Sequence, residues 1–166
     1  MLNSFFVTVH ATAATVAFAA GIASVARGRF LAVYRAAVLL MAAALVPAVL
    51  VDWSVTDPVA RGVFGGLVLL AGAVVVRAEL AVRGRPARPG GPSEAYLRHL
   101  GFTLVALADG FLVVAVIRGG APPWLVVVTA VSVVVAGHAA VGVAVRRIAV
   151  LPVRPRTGRD AVHPNG

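Results

Sequence analysis

Five long apolar runs, each ended by Arg, Pro or Gly, constrain this chain more than any other feature of its sequence. They cover about residues 5–26, 31–51, 58–82, 97–117 and 124–145. A helix needs roughly 20 such residues to cross a hydrocarbon layer ~30 Å thick, at a rise of ~1.5 Å per residue. Inside that layer water is absent, so every peptide group must be bonded within the segment. Helices meet this demand and open sheets do not. The chain is 60% hydrophobic and 13% charged, whereas a soluble domain is roughly 25% charged, and a soluble fold of 166 residues could not enclose so much apolar surface. The expected fold is therefore all-α, a polytopic transmembrane bundle of five spans. It forms a single domain over residues 1–151, followed by a basic tail at 152–166 that is expected to be disordered.

Local signals punctuate the runs. No basic residue precedes the first, while Arg27 and Arg29 follow it. A secretory signal carries its positive charge in front, so the first run reads as a retained span. The small residues of AFAAGIASVA keep open the alternative of a cleavage site. Pro47 is expected to kink the second span, and Pro58 suits the first turn of the third. Near the end of the third, Glu79 and Arg83 stand at i,i+4 spacing for an ion pair. The stretch GRPARPGGPS, residues 84–93, cannot sustain a helix and reads as a linker on the cytoplasmic side. Glu94 just after it reads as a helix N-terminal charge.

Charge sets the expected orientation. Every basic residue is Arg, and all except Arg61 and Arg118 fall on one side of the five spans. Positive residues are retained in the cytoplasm, which places the N-terminus outside and the C-terminus inside. Trp53 and Trp124 lie at outer span ends, Tyr34 and Tyr96 at inner ones, as aromatic belts at the two interfaces would. The net charge of +9 is thus a topology signal and not a nucleic-acid footprint. Heavy use of Ala, Val, Gly and Arg without Lys indicates GC-rich coding, and so the cytoplasmic membrane of a bacterium. The absence of Cys excludes disulfides, thiol nucleophiles and thiolate metal sites.

An internal repeat is a further expectation. YRAAVLL and LRHLGFT open the second and fourth spans, and VVVRAELAVRGRPAR resembles GVAVRRIAVLPVRPR at the ends of the third and fifth. Convergent use of Val, Ala and Arg is the competing explanation.

Chemistry can reside only in the few polar residues within the spans. Asp109 is the most informative, because an ionisable group near mid-membrane costs at least ~2.5 kcal/mol and must be neutralised or paired. From the helical rise, His10 sits ~8 Å below the outer surface, Asp109 ~12–14 Å and His138 ~20 Å, with His99 nearest the cytoplasm. That order could form a proton relay; equally, each group could serve packing through a hydrogen bond. A haem held by His99 and His138 would need the two at nearly equal depth, and no cofactor is expected. Gly62 and Gly66 in a GxxxG spacing, and Ala136, Ala140 and Ala144 along the fifth span, form small-residue faces suited to close helix packing within the chain or between copies. On the first span Ala14, Ala17 and Gly21 form a third such face, and Thr8, Thr12 and Thr15 a polar strip that can bond back to helical carbonyls. The Arg-rich tail RPRTGRD, together with Arg146 and Arg147, could hold anionic lipid headgroups, or serve simply as a topology anchor. The functional expectation is an accessory or assembly subunit that associates with itself or a larger membrane partner. Proton-coupled carriage by Asp109 with the histidines comes second, and a haem protein or a lipid or isoprenoid enzyme third.

Overall fold

The computed structural model describes residues 2–51, 53–55, 57–85 and 92–149. Among these all regular structure is helical: α1 (Leu2–Ser24), α2 (Leu31–Leu50), α3 (Pro58–Arg83), α4 (Glu94–Arg118) and α5 (Pro123–Ala149). Each is long and apolar enough to cross a membrane. The basic tail and most of the expected linker lie outside the described residues.

The helix ends follow from local chemistry. Ser93 caps α4, its hydroxyl accepting the Tyr96 N–H at 3.2 Å. That cap lets the helix begin at Glu94, three residues before the apolar run, with the carboxylate at the positive end of the helix dipole. At its other end the Gly120 N–H donates to Ile117 O and the Ala121 N–H to Val116 O. This 5→2 and 6→1 pair requires a left-handed residue, and Gly120 supplies it with φ of 73°. Gly28, φ 62°, turns the chain between α1 and α2 in the same way.

Consecutive helices run antiparallel. α1 packs on α2, α2 on α3, α3 on α4, and α4 returns to α1, closing a ring of four, while α5 touches α4 alone among the described residues. In lipid no hydrophobic force selects these neighbours, so close backbone approach and buried hydrogen bonds must do so. Glycine provides the approach. A Cβ on Gly21 of α1 would lie 2.8 Å from Leu104 of α4, one on Gly101 of α4 would lie 2.5 Å from Val141 of α5, and one on Gly137 of α5 would lie 2.4 Å from Val105 of α4.

Tyrosine provides the hydrogen bonds. Tyr34 of α2 is fully buried with its hydroxyl on that of Thr103 of α4, and Thr103 in turn donates to Leu100 O at 2.8 Å. Tyr96 of α4, equally buried, donates to Ser24 O at the end of α1, at 2.7 Å. These two side chains were expected in an interfacial belt and instead tie the ring together. Their level along the helices suits a belt, but their faces turn inward. Trp124, 65% exposed, and Trp53, 37% exposed, do sit at the surface.

A second expectation is corrected at Glu79. Its carboxylate pairs with Arg35 of α2, Nε to Oε1 at 2.6 Å, and not with Arg83 on its own helix. A bond across α2 and α3 is available there because both side chains lie at the Arg-bearing end of the ring. Within α4, Arg98 pairs with Glu94 at 2.6 Å in the i,i+4 geometry. On α1, Thr8 and Thr15 bond back to Ser4 O and Ala11 O, which satisfies hydroxyls that face lipid.

Candidate functional site

The polar residues of the spans occupy three separate places. The first is an apolar cavity of about 280 Å³ lined by all four helices of the ring and open on one side. Its walls include Leu67, Leu70, Leu107 and Phe111, and His10 is its one ionisable side chain. His10 Nδ1 lies 2.9 Å from Met41 O of α2. A carbonyl only accepts, so the imidazole donates from Nδ1, and in its neutral form Nε2 is left as an acceptor.

Asp109 lies elsewhere. The antiparallel register that sets residue 101 against 141 and 105 against 137 brings 109, one turn on, opposite Val133 of α5. The half-buried positions 126, 130, 133, 137 and 141 mark the same packed face of α5. Asp109 Oδ1 is buried and, among the described residues, has no hydrogen-bond partner. The adjacent Gly110 lines the ring cavity, and Asp109 does not.

The third place is a groove of about 370 Å³ running over α4 between α3 and α5. Arg77 of α3, Arg98 of α4 and Arg146 of α5 line it, together with Phe102, Val105, Val141 and His138. The Arg77 guanidinium stands over the Phe102 ring, 5.0 Å from its centroid. It also lies 3.2 Å from His99 Nδ1; because guanidinium only donates, His99 accepts there and carries its proton on Nε2. His138 Nδ1 bonds to Val134 O of its own helix at 2.9 Å, and its ring meets Phe102 edge to face.

The four residues of the expected polar ladder are thus not gathered into one site. His10 lines the ring cavity, Asp109 lies outside that lining, His138 is in the outer groove, and His99 is beside it under Arg77. Of His99 and His138, the pair considered for haem, the first has its Nδ1 on Arg77 of α3 and the second its Nδ1 on Val134 O of α5. Among the described residues no three His, Cys, Asp or Glu side chains cluster as metal ligands would.

The small-residue faces also separate. Ala14, Ala17 and Gly21 are buried in the ring. Ala140 and Ala144 border a cleft of about 260 Å³ between α5, α4 and the end of α1, and Ala136 is exposed. Gly62 and Gly66 are exposed, and a Cβ on either would meet nothing within 4 Å. The groove was not read from the sequence. Its signal was three Arg near the same ends of three spans, but their convergence depends on rotation about each helix axis.

These features define a polytopic helical membrane protein with a half-open apolar cavity and a cationic lateral groove. Comparison with protein-family models, with curated proteins and with solved structures finds no match.

Proposed function

We propose that the protein is an accessory subunit of the bacterial cytoplasmic membrane, N-terminus outside and C-terminus inside, which holds a transmembrane helix of another subunit against α3. The observation that carries this reading is the uncovered glycine face of that helix. Gly62, Gly65, Gly66 and Gly72 follow helical spacing along one side, and a Cβ on any of them would meet nothing within 4 Å. Leu69, 77% exposed, stands among them as a knob. The packed side of α3 is the opposite one, with Ala71, Val74, Ala78 and Ala81 buried.

In a soluble helix each interior Gly in place of Ala costs ~0.5–1 kcal/mol. Gly21, Gly101 and Gly137 offset such a cost by close packing inside the chain; the α3 glycines have no such return within it. A second helix laid on this face would supply it. Gly62→Leu and Gly66→Leu place their side chains in open space, so the chain itself should fold normally. Native mass spectrometry of gently extracted protein should show both changes releasing the bound subunit or second copy. Unchanged assembly mass with both, or a wild-type protein that is monomeric and alone, would overturn the reading.

A second reading, proton-coupled carriage, draws on the enclosed and unpartnered Oδ1 of Asp109. It requires Asp109→Asn to abolish proton-linked uptake by reconstituted protein; uptake that survives the change removes Asp109 from that role.

A further inference from the structure

We propose that the groove between α3 and α5 is a binding site for an anionic phospholipid, with its phosphate among Arg77, Arg98 and Arg146 and its first acyl segment on Phe102, Val105 and Val141. The inference is independent of the subunit reading and rests on residues of α3, α4 and α5.

Charge is the first line of argument. Three helices each contribute one guanidinium to the same groove, and among the described residues neither Arg77 nor Arg146 has a carboxylate partner. Arg98 pairs with Glu94 at 2.6 Å at the exposed start of α4. Arg77 spends one donor on His99, which leaves the rest of its planar fork for a phosphate. Stacking on Phe102 holds that fork in place.

Depth is the second. Arg146 and His138 are eight residues apart on α5, which is ~12 Å along the axis. Arg146 stands near the helix end, so the groove begins at headgroup level and descends into the apolar layer. Its floor changes along the way from guanidinium to Phe, Val and Gly. A free phosphate would use only the upper part and leave the apolar floor empty. An amphiphile carrying phosphate next to hydrocarbon matches both parts, and basic pockets between transmembrane helices are suited to such headgroups.

The test uses the full chain, delipidated in a neutral detergent, with phosphatidylglycerol and phosphatidylcholine of identical chains offered at equal concentration. Native mass spectrometry should show one phosphatidylglycerol retained in clear preference to phosphatidylcholine. Arg77→Gln and Arg146→Gln should each weaken that preference by roughly fivefold, as removal of one interfacial cation predicts. Arg27→Gln with Arg29→Gln, at the same end but outside the groove, should leave it unchanged. Arg146 is exposed at the end of α5, so its variant reads the site even if Arg77→Gln misfolds. The proposal is overturned if the preference survives Arg146→Gln, or falls equally with Arg27→Gln and Arg29→Gln. It is overturned too if inorganic phosphate displaces the lipid at matched concentration, since the groove would then be a free-anion site.

Discussion

Tyr34 and Tyr96 each carry a phenol into the interior at the Arg-bearing end of the ring, and each hydroxyl meets a partner on another helix. Such interhelical bonds average ~0.6 kcal/mol and reach ~1.7 in membrane proteins. Their larger role is choice of neighbour, since a phenol turned toward lipid would lose its partner altogether. Thr103 receives Tyr34 while donating to Leu100 O, so Thr103→Val strands one buried hydroxyl. Its expected cost is about 1 kcal/mol, read as a lower midpoint in denaturing-detergent titration. Adding Tyr34→Phe removes the stranded group, so the double variant should lose less than the sum of the singles. Strict additivity would show that the two hydroxyls are not coupled. Both tyrosines looked like belt residues in the sequence, because distance from a span end reports depth and says nothing of the face a side chain takes.

At the scale of elements, the seam between α4 and α5 shows which glycines the fold uses. The GxxxG spacing of Gly62 and Gly66 drew attention, yet the chain packs through Gly101 and Gly137, which belong to no repeated spacing. Each works because a Val on the facing helix fills the space that a Cβ would take. Gly137→Ala would put a methyl against Val105, and overpacking of this kind costs ~1–3 kcal/mol. Since among the described residues α5 rests on α4 alone, the expected effect is early release of α5, seen as faster amide exchange in α5 than in the ring. Val105→Ala should restore much of the loss in the Gly137→Ala background. Equal exchange protection of α5 in wild type and Gly137→Ala would contradict this account. Glu79 teaches the same lesson for charge: its spacing to Arg83 was legible, but the nearer cation is Arg35 on a neighbouring helix.

For the whole molecule, alternating helices place Arg27, Arg35, Arg83, Arg98 and Arg146 at one end of the bundle and Trp53, Arg61 and Trp124 at the other. The absence of Cys makes orientation directly measurable. Ser54→Cys, in the turn after α2, should react with an impermeant maleimide on intact spheroplasts, while Ala26→Cys should react only after lysis. The reverse pattern would invert the assignment. Five helical spans, their approximate limits and their alternation were determined by the sequence alone. Each depends on quantities that run along the chain: apolar length against bilayer thickness, and Arg, Pro or Gly at the ends. The ring with α5 outside it, the inward tyrosines, the seating of His10 against Met41, the scattering of Asp109 and the histidines and the convergence of three Arg were decided only by the tertiary structure. All of these depend on rotation about the helix axes. Ala, Val and Leu surround these helices on nearly every side, so the sequence carries little azimuthal signal, and neighbours are chosen by close glycine contacts and a few buried hydroxyls.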